Sequence, residues 1–128
     1  MAMFKFDHVH PRIPDPEATA AFYERMFGAE VIRTLQQGQP RIGVNLGGQM
    51  VFIARAEPDG TVADPPAQPH LGLEHIGLIV EDIDDVAAGL KAKGAEFTME
   101  PPPSRPNTRI AFLKGPENVS IELVNRNT

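Results

Sequence analysis

The sequence predicts an α+β fold of two tandem modules, each with the element order βαβββ. One observation is an internal repeat, because residues 6–34 resemble residues 73–99 and His8 falls on His75, 67 positions later. Another is the periodicity of each copy, which changes from the alternation of a strand to the spacing of an amphipathic helix and then returns to short strands. Two long copies are unlike a solenoid, which stacks many short repeats.

An extended run over residues 8–13 opens the first module. Successive side chains of a strand point to opposite faces, so we expect His8, His10 and Arg12 on one face. The residues between them then face the helix that follows.

A helix follows the opening strand in each module. Asp15 is the expected N-cap of the first helix, which Gly28 ends, and Asp82 and Gly94 have the same roles in the second. The buried face of the first helix is predicted to consist of Ala18, Ala21, Phe22 and Met26. That of the second helix is predicted to consist of Ile83, Val86, Ala87 and Leu90.

Three shorter strands are predicted after each helix: 29–35, 42–46 and 50–55, then 96–100, 110–114 and 120–125. In this part of the repeat Arg41 falls on Arg109, at an offset of 68. The proline-rich stretch 101–106 is predicted to be a loop over a cavity.

The length of 128 residues is typical of one domain. We expect module 1 at about 4–56, a proline-rich linker at about 57–72 and module 2 at about 73–126. A linker of this length permits the modules to pair within one chain or across a dimer, and both arrangements stay open.

The composition excludes several classes of function. Twelve Lys and Arg against 17 Asp and Glu give a net charge of −5, which is unsuited to nucleic acid and to anionic membrane surfaces. The absence of Cys excludes disulfides, iron–sulfur clusters and cysteine nucleophiles. No apolar stretch approaches the roughly 20 residues of a membrane helix, and the N-terminus lacks the apolar core of a signal peptide. We therefore expect a cytoplasmic protein that acts on a small molecule.

A histidine that opens each module and a glutamate in the last strand resemble the vicinal oxygen chelate superfamily. This superfamily includes glyoxalase I, extradiol dioxygenases, fosfomycin-resistance enzymes and bleomycin-binding proteins. The resemblance rests on DHVH and AFY in the first half, and on EHIGLIVEDID and GPENVSIELV in the second. It implies the glyoxalase-like fold, in which the two modules form a curved mixed sheet around a central cavity, and it implies a homodimer.

The resemblance also implies a divalent metal ion with the ligands His8, His75 and Glu122. Phe52 aligns with Glu122, at the place where glyoxalase I has a fourth ligand, so three protein ligands are expected. Two histidines and one carboxylate with open positions suit Fe(II) and other divalent ions, and the expected metal is Fe, Mn, Ni, Co or Zn. A carboxylate within an apolar strand such as SIELV is costly to bury unless a positive charge pairs with it.

The leading interpretation is a divalent-metal-dependent, glyoxalase I-like lyase or isomerase. It would act on a small substrate with vicinal oxygens through a metal-stabilised enediolate. Glu122 and His10 are the candidate catalytic residues, since proton transfer requires a base close to the metal. The candidate substrate-binding residues are Arg12, Asn45, Phe52 and Arg109.

Two main alternatives remain. The first is an Fe(II) extradiol-type ring-cleaving dioxygenase, although the second module has no Tyr and no histidine besides His75. The second is a non-enzymatic drug- or metabolite-binding protein of the bleomycin-resistance type, although such proteins generally lack the metal ligands that are kept here. A thiol transferase of the fosfomycin-resistance type is a third.

Overall fold

The computed structural model describes residues 3–102 and 108–126. The chain divides into two compact units, Met1–Ala63 and Asp64–Thr128, and the division falls inside the predicted linker. Each unit has one α-helix and one mixed sheet, so the predicted α+β class is confirmed. The predicted loop at 101–106 lies outside the described residues from position 103 onward.

Unit 1 contains a five-stranded sheet and one helix. Its elements are β1 (His8–Val9), β2 (Arg12–Ile13), α1 (Pro16–Phe27), β3 (Glu30–Gln36), β4 (Gln39–Leu46) and β5 (Gln49–Arg55). The sheet order is β1-β5-β4-β3, and β2 also pairs with β5. The opening run is two short strands rather than one, because Pro11 has no N–H to donate to the ladder. The Pro11 carbonyl still accepts a hydrogen bond from the N–H of Ala54, at 3.0 Å.

Unit 2 contains a four-stranded sheet and one helix. Its elements are β6 (His75–Ile79), α2 (Ile83–Ala92), β7 (Phe97–Met99), β8 (Thr108–Lys114) and β9 (Ser120–Arg126), with a 3₁₀ turn at Pro116–Asn118. The sheet order is β6-β9-β8-β7. As in unit 1, the opening strand is parallel to the last strand and the other pairs are antiparallel.

The predicted helix caps are confirmed. The carboxylate of Asp15 accepts the N–H of Ala18 at 3.1 Å, and that of Asp82 accepts the N–H of Asp85 at 3.2 Å. Gly28 follows α1 with a φ of 67°, a left-handed conformation that glycine adopts without the clash of a Cβ atom. Each helix therefore begins where its aspartate satisfies a free N–H of the first turn.

The buried face of α1 differs from the prediction. It consists of Thr19, Ala20, Tyr23 and Met26, whereas Ala18 and Ala21 are exposed. Tyr23 is 2% exposed, and the helix face that carries it is the buried one, so the two alanines face solvent. Burial raises the pKa of Tyr23 to about 12, because the phenolate is poorly solvated there. The predicted face of α2 is confirmed, with Ile83, Ala87 and Leu90 buried and Val86 half-buried.

Alternate side chains of each sheet pack towards its helix. In unit 1 these are Val44, Leu46, Val51 and Ile53; in unit 2 they are Ala111, Leu113, Ile121 and Leu123. The intervening residues lie on the opposite, open face, which carries most of the candidate site residues. Of the described helices, neither is long and apolar enough to span a bilayer.

Candidate functional site

His75 and Glu122 form a pair on the open face of unit 2. Strands β6 and β9 are parallel, with His75 opposite Ser120 and Gly77 opposite Glu122. Residues 75, 77 and 122 therefore share one face. The Nε2 atom of His75 lies 3.4 Å from Oε1 of Glu122, and the two side chains are 38% and 19% exposed. This places an imidazole nitrogen and a carboxylate oxygen side by side at the border of solvent.

Glu122 lies between a glycine and an aromatic ring. A Cβ atom at Gly77 would stand 3.4 Å from Oε1 of Glu122, so the glycine keeps the space beside this oxygen open. On the other side β8 places Phe112 opposite Glu122, and the Phe112 ring meets the ring of His75 edge-on at 5.3 Å between centroids. A carboxylate in such surroundings is stabilised by a nearby cation.

His8 and Phe52 form the corresponding pair in unit 1. His8 lies opposite Met50, so Phe52 is two residues beyond the partner of the histidine, as Glu122 is two residues beyond Ser120. The rings of His8 and Phe52 are 4.8 Å apart between centroids. Cross-strand register thus makes Phe52 the equivalent of Glu122, and an aromatic ring stands where unit 2 has a carboxylate.

An acidic residue precedes each of the two histidines and bonds to its ring. Nδ1 of His8 lies 2.6 Å from the Asp7 carboxylate, and Nδ1 of His75 lies 3.1 Å from the Glu74 carboxylate. A carboxylate beside Nδ1 favours the tautomer protonated there, and in that tautomer Nε2 carries the lone pair. Sequence analysis did not assign this role to Asp7 and Glu74. The signal was present as an acidic residue directly before His in both copies of the repeat.

Two glutamine side chains hold the backbone at these acidic residues. Nε2 of Gln49 donates to the Asp7 carbonyl at 2.7 Å, and Nε2 of Gln68 donates to the Glu74 carbonyl at 3.0 Å. Gln68 also donates to the Asn118 carbonyl at 2.8 Å. Since the glutamines come from unrelated places in the sequence, the repeat did not indicate them.

A cavity of about 910 Å³ opens in unit 1, and His8, His10, Arg41 and Phe52 are among the residues that line it. The rings of His8 and His10 are 6.1 Å apart between centroids. Two imidazoles and the guanidinium of Arg41 therefore line one cavity, and Arg55 lines it as well. The structure brings His10 close to His8, as the alternation of the opening strand predicted.

Arg109 lies on the helix face of its sheet, away from Glu122. Its guanidinium donates to both carboxylate oxygens of Asp84, at 2.7 and 2.9 Å, and to the Pro102 carbonyl at 2.7 and 3.1 Å. This pairing holds the pKa of Asp84 below its usual range and raises the pKa of Arg109. The position gives no support to the prediction that Arg109 binds substrate.

The predicted match of Arg41 with Arg109 is wrong. Gly43 lies opposite Phe52, and Phe112 lies opposite Glu122, so the equivalent of Arg41 is Ile110. A shift of one residue along a strand moves a side chain to the other face of the sheet. The two arginines therefore face different surroundings, although the sequence aligns them.

The other two predicted substrate-binding residues take part in local backbone contacts. Nη1 of Arg12 donates to the Arg55 carbonyl at 3.4 Å. Oδ1 of Asn45 accepts the N–H of Gly48 at 2.8 Å, which stabilises the turn between β4 and β5.

The predicted metal ligands are distributed over the two units, with His8 in unit 1 and His75 and Glu122 in unit 2. Among the described residues of either unit, no three His, Asp or Glu side chains are grouped so that they could hold a metal ion. The donor set still fits a divalent ion chemically, because imidazole nitrogen and carboxylate oxygen are ligands that such ions share. The close approach of Nε2 of His75 to Oε1 of Glu122 supplies two donors in one place.

Comparison with known proteins identifies the family. The family model of the Glyoxalase/Bleomycin resistance protein/Dioxygenase superfamily matches residues 5–123. The chain belongs to this superfamily. The family resemblance noted in the sequence is thereby confirmed over nearly the whole chain.

Relatives within the superfamily include two described as lactoylglutathione lyases. The putative lactoylglutathione lyase of Brassica oleracea var. gemmifera is 26% identical over an alignment of 127 positions, which covers 95% of this chain and 44% of that protein. The chain thus spans less than half the length of this relative. The probable lactoylglutathione lyase of Vibrio parahaemolyticus is 28% identical over an alignment of 120 positions, which covers 91% of this chain and 87% of that protein.

Solved structures of the superfamily share the fold. The fosfomycin resistance protein FosX of Listeria monocytogenes, complexed with Mn(II) and sulfate, superimposes with a TM-score of 0.69. The match covers 99% of this chain and 93% of FosX, at 19% identity. The glyoxalase-like fold predicted from the sequence is confirmed by this likeness.

Proposed function

We propose that this protein is a divalent-metal-dependent enzyme of the superfamily, a glyoxalase I-like lyase or isomerase that acts on a small substrate with two adjacent oxygens. The observation that carries the proposal is the His75–Glu122 pair, 3.4 Å apart on an open sheet face beside Gly77. A carboxylate and an imidazole kept together with open space beside them are the donors of a metal site. The lactoylglutathione lyases among the relatives support this class of reaction.

His75, Glu122 and His8 are the proposed ligands of the ion, which is Fe, Mn, Ni, Co or Zn. His8 is included because it is the repeat equivalent of His75. Its Nδ1 atom bonds to Asp7, as Nδ1 of His75 bonds to Glu74. Asp7 and Glu74 are proposed to orient the two rings so that Nε2 is the coordinating atom. The Mn(II) in the FosX structure is consistent with a divalent ion in this fold.

The bound ion would supply Lewis acidity, which lowers the cost of negative charge on the substrate oxygens. The residues of the chain then have to move a proton. We assign the transfer to the Glu122 carboxylate and the His10 imidazole, which remove a proton from the carbon beside a carbonyl and return it to the neighbouring carbon. His10 lines the same cavity as His8, and the two rings are 6.1 Å apart between centroids.

A second candidate is an Fe(II) ring-cleaving dioxygenase. Phe52 stands where a fourth ligand would be, and a three-ligand set of two histidines and one carboxylate leaves positions for both an aromatic diol and O₂. For either activity we propose a homodimer that works in the cytoplasm, without nucleic-acid or membrane partners.

Metal analysis tests the proposal. Wild type, Glu122→Gln, His75→Ala and His8→Ala are purified without added metal, then incubated with each divalent ion and analysed by mass spectrometry. Glu81→Gln is the matched control, because Glu81 is an exposed glutamate outside the pair. We expect about one metal ion per chain in wild type and in the control, and loss of the ion in the three ligand variants.

The identity of the metal and a substrate assay then decide the reaction. Iron favours the dioxygenase, whereas nickel, cobalt or zinc favours the lyase or isomerase, with lactoylglutathione as the first compound to assay. An unchanged metal content in His8→Ala would remove His8 from the ligand set. No metal in wild type after incubation would overturn the proposal and favour a binding protein.

A further inference from the structure

Arg41 stacks on the ring of Phe52, at the position that would otherwise hold a fourth ligand. The Cζ atom of Arg41 lies 3.7 Å from the centroid of the Phe52 ring. The same ring contacts the ring of His8, at 4.8 Å between centroids. Phe52 thus connects a guanidinium to one of the proposed metal ligands.

Gly43 makes the stacking of Arg41 on Phe52 possible. Arg41 and Gly43 lie on the same face of β4, and Gly43 is directly opposite Phe52. A Cβ atom at Gly43 would stand 3.0 Å from Cδ1 of Phe52 and 3.1 Å from Cε of Met50. The ring of Phe52 therefore occupies the space above Gly43. The side chain of Arg41, two residues before Gly43 on β4, covers the face of this ring.

Stacking leaves the hydrogen-bond donors of Arg41 available. A guanidinium has five N–H groups in its plane, so contact through its face does not use them. Arg33 and Arg109 donate to Glu17 and to Asp84, respectively. Within the described residues, no carboxylate forms an ion pair with Arg41. It is a positioned cation with unused in-plane donors.

The donors of Arg41 belong to the wall of the cavity that also holds His8 and His10. Acidic residues on the same wall are largely engaged: Glu17 pairs with Arg33 at 2.7 Å, and Asp15 caps helix α1. Glu57 is exposed. The in-plane donors of Arg41 are unused, and with His10 and Arg55 on the same wall they suit a negatively charged oxygen group.

We infer that Arg41, held on Phe52, binds an anionic oxygen group of the substrate, a carboxylate or a phosphate. Phe52, at the position equivalent to Glu122, then supports an anion-binding arginine and supplies no metal ligand. The inference rests on the proposed function in one respect, namely that the anionic group belongs to the substrate of that metal site. The substrate class is then a small acid with two adjacent oxygens near its charged group.

Two binding measurements test this inference on the purified full chain. Inorganic phosphate is titrated first, and the ring resonances of His8 and His10 are followed by NMR. Succinate monohydroxamate is then compared with acetohydroxamate by calorimetry on the metal-loaded chain, since both carry two adjacent oxygens and only the first carries a carboxylate. The variant is Arg41→Gln, and Arg126→Gln is the control because it removes the same charge from an exposed position in unit 2.

We expect a saturable phosphate shift in wild type and in Arg126→Gln, and binding at least about fivefold weaker in Arg41→Gln. The carboxylated probe should bind about tenfold more tightly than acetohydroxamate, as one charge-assisted contact predicts, and Arg41→Gln should abolish this preference. Equal binding by Arg41→Gln and wild type in both measurements would overturn the inference. Failure to load metal would overturn the proposed function alone, since the phosphate titration does not depend on it.

Discussion

Phe52 occupies in unit 1 the register position that Glu122 occupies in unit 2. Each lies two residues beyond the cross-strand partner of a strand-opening histidine, Met50 in one unit and Ser120 in the other. The histidine therefore meets an aromatic ring in unit 1 and a carboxylate in unit 2. The two units share a backbone pattern and differ in the chemistry of this position.

Introducing a carboxylate at position 52 should add a metal ligand. A new Glu would pair with Arg41, so the test combines Phe52→Glu with Arg41→Gln and uses Arg41→Gln alone as the reference. We expect metal affinity to rise about tenfold or more in a chelator competition, because the carboxylate stands next to His8 as Glu122 stands next to His75. An unchanged affinity would show that the ion does not contact the unit 1 face.

Removing the carboxylate on Nδ1 of His75 should weaken metal binding. Glu74→Gln keeps the shape of the side chain but loses the charge that fixes the proton on Nδ1. Loss of such a partner typically costs 10–100-fold in metal affinity, measurable by chelator competition. Asp7→Asn should have a smaller effect, because the Asp7 side chain is 85% exposed and that of Glu74 is 31% exposed. A larger loss of metal affinity in Asp7→Asn than in Glu74→Gln would contradict the orienting role of Glu74.

Gly43→Ala should disturb anion binding without affecting metal content. The added Cβ would crowd the Phe52 ring and displace the support of Arg41. We expect phosphate affinity to fall towards that of Arg41→Gln. Gly89→Ala is the matched control, since a Cβ there meets nothing within 4 Å and alanine in a helix stabilises by about 0.5–1 kcal/mol. Retention of full phosphate affinity in Gly43→Ala would argue against the supporting role of the ring.

Tyr23 should make the protein sensitive to alkali. Its pKa is raised from 10.0 to about 12 by burial, so the folded state holds the proton more tightly than the unfolded chain. The stabilisation is complete below pH 10 and is lost as pH rises from 10 to 12. The free energy of unfolding is measured by urea denaturation of wild type and Tyr23→Phe at pH 9 and pH 12. Between these pH values it should fall less in the variant than in wild type, by about 2–3 kcal/mol. An equal fall in both proteins would place the alkaline sensitivity elsewhere.

Asp84→Asn should destabilise the fold at neutral pH and leave the metal site intact. The Arg109 guanidinium holds the pKa of Asp84 below its ordinary value of 3.8. The stabilisation is therefore present above pH 4 and lost as pH falls through the lowered pKa. Thermal unfolding between pH 7 and pH 2.5 should show a lower Tm for the variant at pH 7 and convergence in acid. Loss of metal at pH 7 would mean that Arg109 supports the site.

The sequence by itself determined the element order and the family. Asp15, Gly28 and Asp82 set helix ends through contacts within a few residues, and such local interactions can be read from the chain. The internal repeat singled out His8 and His75, because a histidine opens both copies, and the family resemblance added Glu122. The repeat did not indicate which nitrogen of each ring is held by a neighbour.

Only the tertiary structure decided which faces Arg41, Arg109 and the residues of α1 occupy. Arg41 and Arg109 align in the sequence, yet one stacks on Phe52 and the other clasps Asp84 on the helix face. Ala18 belongs to the predicted buried face of α1, yet the structure buries Tyr23 and leaves Ala18 exposed. The physical reason is the same in both cases. A rotation or a slip of one residue changes the face, and contacts between distant strands and helices fix it.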